Sequence, residues 1–106
     1  MSIFNIFARK DINEGVRSFR ESENAFLLDV RTREEYSSGH IEGSQNIPLD
    51  EIDRVDSVIK DKSAPLYVHC LSGGRSARAA AYLKGKGYRD VHDIGGIDSY
   101  RGKIVV

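Results

Sequence analysis

Phe26-Leu27-Leu28 and Leu66-Tyr67-Val68 are apolar without interruption and each is closed by a polar residue. Runs of this kind suit strands covered on both faces, as in a parallel sheet. The first is predicted to extend through Asp29 to Val30. The second ends at His69 and delivers Cys70 at its carboxyl end. Elsewhere the apolar positions recur at helical spacing. Ile12, Val16 and Phe19 share one face of a helix predicted over Asp11 to Glu21, opened by Asp11 and Glu14 and interrupted by Gly15. Thr32 and Glu35 form a capping box, and Gly39 a natural stop, for a short helix over Arg33 to Ser38. Ile52, Val55 and Ile59 repeat helically along an acidic segment, and Lys60 to Pro65 reads as a loop. Ala79, Ala80 and Leu83 form the inner face of a helix predicted from Ser76 to Lys86, with Gly87 as its cap. Two lesser strands complete the pattern. Gln45 to Ile47 is ended by Pro48, and Val91 to Ile94 is followed by Gly95-Gly96, expected to turn the chain into its final segment.

Strands alternating with helices predict an α/β fold with a mainly parallel sheet. Ligands in that architecture sit beyond the carboxyl ends of the strands, which is where Cys70 falls. With 106 residues, positions 1–106 make a single domain with one core. Sixteen basic residues balance sixteen acidic ones, so no general attraction to nucleic acid or to an anionic membrane is expected. No run approaches the roughly 20 apolar residues that span a bilayer. Met1 to Phe7 is apolar but lacks the marks of a signal peptide. It is expected to be a first strand or a segment packed on the core, with a partner contact through Phe4 and Phe7 as the alternative. A single cysteine excludes an internal disulfide and fits a reducing compartment, so a cytoplasmic location is expected. Three histidines and one cysteine show no metal-ligand spacing, and neither a metal nor a resident cofactor is expected.

The candidate chemistry lies in Cys70-Leu71-Ser72-Gly73-Gly74-Arg75-Ser76. A lone cysteine is often a buried, inert residue, and glycine and serine also serve a plain strand-to-helix turn. The stretch carries more than a turn needs. Two glycines let several backbone N–H groups converge on one point, and the following helix aims the positive end of its dipole there. Arg75 adds a guanidinium beside the thiol, which makes an anion site. A thiol so placed is expected to ionise readily. Its thiolate could attack a sulfane sulfur and hold it as a persulfide, or attack phosphorus and hold a phosphoryl group. Asp29 and Arg31 end a buried strand, where a paired charge is the expected arrangement. His69 is expected to point away from the side of Cys70.

The chain resembles the single-domain rhodanese family of sulfurtransferases over nearly its whole length. Asp29-Val30-Arg31, Glu35-Tyr36, Gly39-His40-Ile41-Glu42-Gly43 and Asn46-Ile47-Pro48 are similar to the family's amino-terminal signature. Cys70 to Ser76 resembles its active-site loop, and Gly95-Gly96 its carboxyl-terminal signature. The resemblance implies a three-layer α/β/α sandwich with a five-stranded, mainly parallel sheet. It implies that Cys70 is the nucleophile and carries sulfur as a persulfide, with no other cofactor. Main-chain donors of Leu71, Ser72, Gly73, Gly74, Arg75 and Ser76 would hold the terminal sulfur, and Arg75 would help neutralise an anionic donor. Asp29, Arg31 and His40 would support the site, His40 as a hydrogen-bonded packing residue near the loop. The implied partners are a sulfur donor, thiosulfate or a protein persulfide, and a thiol or cyanide acceptor. Phosphatases of the same fold use a loop one residue longer, so the four residues between Cys70 and Arg75 favour sulfur. A non-catalytic binding module and a small phosphatase or arsenate reductase are the alternatives. Two features depart from the common pattern. Tyr100 stands where tryptophan is frequent, and Leu71 to Gly74 carry no second basic residue, which leaves room for a donor other than thiosulfate.

Overall fold

The computed structural model of the chain describes residues 10–106; the expectations for Met1 to Phe7 lie outside them. Helix α1, Ile12–Glu21, starts at Asp11, whose side chain accepts the Asn13 N–H at 2.9 Å. Glu14 does not return the bond; it pairs with Arg17 on the surface. Strand β1 is Phe26–Asp29, helix α2 is Arg33–Ser38, and the two-residue strand β2 is His40–Ile41. Strand β3, Ser44–Asn46, precedes a 3₁₀ turn over Leu49–Arg54 that runs into helix α3, Val55–Val58. Strand β4, Leu66–Cys70, leads through the loop into helix α4, Gly74–Gly85. Strand β5 is Val91–Gly96, and after a second 3₁₀ turn β6, Ile104–Val105, closes the described chain.

The main sheet is parallel throughout, in the order β3-β1-β4-β5. Among the described residues it has four strands, against the five implied. His40 and Ile41 pair antiparallel with Val105 and Ile104, and so form a separate two-stranded sheet. Helices cover both faces of the main sheet. Leu28, Val30, Val68 and Cys70 face α3 and α4, packing on Val55, Ala79 and Leu83. Leu27, Tyr67 and Ile94 face α1, packing on Ile12 and Val16. This is a three-layer α/β/α sandwich, and burial on both sides is why the strands carry continuous apolar runs.

Three boundaries differ from expectation in ways that shape the site. Helix α4 begins at Gly74, two residues early, so Arg75 and Ser76 belong to its first turn. The segment around Ile52 winds first as a 3₁₀ helix and then as one short α-turn, still burying Ile52, Val55 and Ile59. Strand β5 continues through Gly95 and Gly96 instead of turning before them. Val68 pairs with Asp93 but His69 with Gly95, so Ile94 is left over as a bulge, and Gly95 takes a positive φ of 101°. Only glycine enters that region without steric cost. The bulge keeps β5 in register beside Cys70, whose partner is Gly96.

Candidate active site

Parallel strands bring β4 and β5 to the same edge of the sheet, and the loop after β4 is laid over the end of β5. The Asp98 N–H donates to the Leu71 carbonyl at 3.1 Å. A Cβ on Gly96 would lie 2.3 Å from that carbonyl oxygen and 2.6 Å from the Ser72 Cα, so the loop rests directly on glycine backbone. Gly73, at φ 116°, reverses the chain into α4. That reversal turns the Gly73 N–H inward, and it donates to the Cys70 Sγ at 3.0 Å. The N–H groups of Gly74, Arg75 and Ser76 open the helix and have no carbonyl one turn back to bond. Cys70 itself is 1% exposed, so its sulfur lies at the floor of this cradle.

Ser76 is wholly buried, and its hydroxyl is the second polar group beside the sulfur. The Cys70 thiol is 3.6 Å from the Ser76 Oγ. The same oxygen is 2.7 Å from Asp93 Oδ1 and 3.0 Å from the Gly73 carbonyl. Asp93 also accepts the Gly95 N–H at 3.2 Å. Nothing in the alternation of β5 singles Asp93 out; it is drawn to the loop because the bulge after it lets the strand follow β4.

Arg75 is held differently from its expected position beside a free anion. Two of its guanidinium nitrogens donate to the Glu35 carboxylate, at 2.8 and 3.1 Å. That hydrogen bond is the main cause holding the Glu35 carboxyl down to about 2 from an ordinary 4.5, and Glu35 in turn raises the Arg75 value. Glu35 also accepts the Thr32 N–H at 2.8 Å, completing its capping box. One carboxylate therefore fixes both the start of α2 and the guanidinium of the loop. The sequence pattern assigns Glu35 to the cap alone, because a partner forty residues away leaves no local signal.

Asp29 and Arg31 form the buried pair expected of them, with guanidinium-to-carboxylate distances of 2.7 to 3.0 Å. Arg31 also donates to the Gly39 carbonyl at 2.8 Å, and the Asn46 amide bonds the carbonyls of both Asp29 and Arg31. The pair thus ties β1 to β3 and to the end of α2. His69 lies on its side of the sheet; its Nε2 is 3.9 Å from Asp29 and has no hydrogen-bond partner among the described residues, while its Nδ1 is 3.4 Å from the Cys70 carbonyl oxygen. Burial lowers its pKa, so it is neutral and the contact is not an ion pair. His40 stacks on the Tyr36 ring at 3.9 Å and bonds the Tyr36 carbonyl through Nδ1, so its partners lie in α2 and not in the loop. Tyr100 packs in the α1-side core.

Two clefts flank the loop. One of about 540 Å³ is lined by Val30, Pro48, Leu49 and Ile52, by the polar Thr32 and Asp50, and by Arg75, Arg78 and Tyr82. The other, of about 420 Å³, is polar and runs past Ser72, Gly73, Asp93 and Asp98. The arrangement offers a cysteine sulfur with a backbone donor already aimed at it, at the positive end of a helix.

The family profile described as Rhodanese-like domain matches residues 13–103. The chain belongs to the rhodanese-like family. Among curated relatives, the uncharacterized protein YqhL of Bacillus subtilis (strain 168) is 39% identical over 82 residues, 76% of this chain. The thiosulfate sulfurtransferase GlpE of Pseudomonas fluorescens (strain SBW25) is 36% identical over 90 residues, 83% of this chain and 80% of its own length. The chain spans 64% of YqhL and 25% of the longer adenylyltransferase and sulfurtransferase uba4 of Ogataea parapolymorpha. Among solved structures, a rhodanese with anions from E. coli superposes with a TM-score of 0.71 at 33% identity, covering 76% of this chain and 96% of its own. Among the described residues, no helix of this rhodanese-like chain is long and apolar enough to cross a membrane.

Proposed function

We propose that the protein is a rhodanese-type sulfurtransferase in which Cys70 accepts a sulfane sulfur and passes it on. The observation that carries this reading is the Gly73 N–H donating to the Cys70 Sγ at 3.0 Å, inside a loop that opens α4. A backbone donor aimed at sulfur stabilises the thiolate as nucleophile and later as leaving group. The relatives named thiosulfate sulfurtransferase support the same chemistry, as does the solved E. coli relative with anions. In the uptake step the Cys70 thiolate attacks the outer sulfur of thiosulfate. The donor's S–S bond breaks, sulfite leaves with the electron pair, and Cys70 carries a persulfide. In the return step an acceptor thiolate, or cyanide, attacks the outer persulfide sulfur and Cys70 leaves as thiolate. No external oxidant or reductant enters either step.

The N–H groups of Leu71 to Ser76 hold the anionic terminal sulfur in this scheme. Arg75 contributes less charge than a free guanidinium would, because Glu35 neutralises much of it. The reaction therefore leans on backbone dipoles, which suits a persulfide monoanion at least as well as the thiosulfate dianion. A protein persulfide is accordingly retained as a donor class beside thiosulfate. The lone thiol suits a reducing compartment, and we assign the protein to the cytoplasm; recovery from an oxidising compartment with Cys70 in a mixed disulfide would overturn that assignment.

Intact mass spectrometry after treatment with thiosulfate and with small-molecule persulfides tests the function. Cys70 is expected to gain the mass of one sulfur, and Cys70→Ser to gain nothing. No sulfur adduct with any donor would overturn the reading.

A further inference from the structure

Ser76 has one hydroxyl proton and several acceptors within reach. Its Oγ lies 2.7 Å from Asp93 Oδ1, 3.0 Å from the Gly73 carbonyl and 3.5 Å from the Gly95 carbonyl. The carboxylate contact is the shortest and the only charge-assisted one, so the proton goes to Asp93. With its proton committed there, Oγ turns a lone pair to the Cys70 sulfur 3.6 Å away. A hydroxyl oriented in that way can accept from a thiol and cannot donate to a thiolate. Asp93 is fixed in place beside it. The carboxylate accepts the Gly95 N–H at 3.2 Å, its side chain is 10% exposed, and Lys10 Nζ lies 3.8 Å from Oδ2.

We propose that Asp93 is a positioning residue that acts on Cys70 through Ser76 and receives the proton that Cys70 gives up. The proposal rests on the sulfurtransferase reading above. As Cys70 attacks, its S–H proton passes to the Ser76 Oγ and the original Ser76 proton passes to Asp93 Oδ1. One S–H and one O–H bond break, two O–H bonds form, and the negative charge moves from the carboxylate to the sulfur. The shift leaves the Ser76 hydroxyl pointing at the new thiolate, beside the Gly73 N–H. One movement thus removes the proton and supplies a second donor to the nucleophile. When the persulfide is discharged and Cys70 leaves as thiolate, the same two protons run back. The relay needs no water, which suits a sulfur and a serine that are both buried.

Asp93→Asn keeps an oxygen able to accept from Ser76 but removes a base able to take the proton. Two single-turnover rates test it: sulfur uptake from thiosulfate by quenched intact mass, and alkylation of Cys70 by iodoacetamide. Both need Cys70 to lose its proton, and the second reports on the relay even if no donor delivers sulfur, which separates its failure from that of the functional reading. Asp93→Asn is expected to slow both by about 100-fold, the lower range for a positioned general base. Ser76→Ala is expected to do the same, and the double variant to be no slower than Ser76→Ala alone. Wild-type alkylation should be slower in D₂O than in H₂O, and the difference should vanish in Asp93→Asn. A merely structural Asp93 would not move the isotope effect. Wild-type rates in Asp93→Asn, losses that multiply in the double variant, or a wild-type rate indifferent to D₂O would each overturn the relay. The last measurement needs no variant to fold.

Discussion

Gly96 shows how much of the site hangs on single atoms. An alanine there would place its Cβ 2.3 Å from the Leu71 carbonyl oxygen, a backbone atom that cannot step aside without moving the loop. Gly96→Ala is therefore expected to lower stability by about 1–3 kcal/mol, as overpacking does. Sulfur uptake should fall further than stability, because the displaced backbone carries the Gly73 donor. Thermal denaturation beside single-turnover uptake checks this, and undiminished uptake would contradict it. The Glu35 carboxylate makes a second case at the same scale. Its pKa lies near 2, below an ordinary 4.5, so its contribution to stability is complete above pH 4.5 and is lost as pH falls toward 2. The Arg75 hydrogen bond is the largest cause. In Arg75→Ala the Glu35 carboxyl should titrate close to its ordinary value by NMR; a carboxyl still near 2 would assign the effect to Thr32 instead. These residues differ in legibility. Cys70 and the loop glycines stand together in the chain, whereas the Glu35–Arg75 and Ser76–Asp93 pairs join positions forty and seventeen residues apart.

Helix α1 displays a conflict between local preference and packing. Gly15 in a helix interior costs about 1 kcal/mol relative to alanine, which is why the sequence pattern reads as interrupted there. The structure supplies the reason. A Cβ at Gly15 would come within 2.4 Å of the Ile94 side chain, on the bulge of β5. Gly15→Ala gains the helix preference and incurs an overpacking cost of about 1–3 kcal/mol, so the melting temperature should drop. In an Ile94→Ala background the same change should become stabilising. A rise in melting temperature in the wild-type background would show that Ile94 moves aside freely. Helix α4 makes the complementary point. Its small inner residues, Ala79 and Ala80, let it lie close to the sheet, and Gly73 begins it early enough to place Ser76 over the sulfur. Where that helix begins depends on the positive φ of Gly73, a conformation that two consecutive glycines permit but do not locate.

At the scale of the molecule, the sandwich places its polar cluster and its sulfur on opposite faces of the same strands. Asp29, Arg31 and His69 occupy one side of β1 and β4, and Cys70 the other. His69 is wholly buried and held neutral by that burial, its pKa lowered from 6.5. Below pH 6.5 the unfolded chain binds a proton there that the folded chain refuses, so stability falls as pH drops through and below that value. His69→Gln should flatten this slope, compared by urea midpoints at pH 7.5 and pH 5.5; an unchanged slope would place the acid sensitivity elsewhere.

The sequence by itself determined the alternation of strands and helices, the two buried central strands, the strand end that carries Cys70, and the Asp29–Arg31 pair. Those features follow from hydrophobic period, capping residues and short-range chemistry, all of which are local. The tertiary structure alone decided that β2 pairs with β6 in a sheet of its own, that β5 runs on past its bulge, and that Glu35 and Asp93 reach the loop. Such features depend on which strand ends meet at one edge of the sheet. Backbone register and the path of a bulge carry that information, and neither is written in the order of side chains.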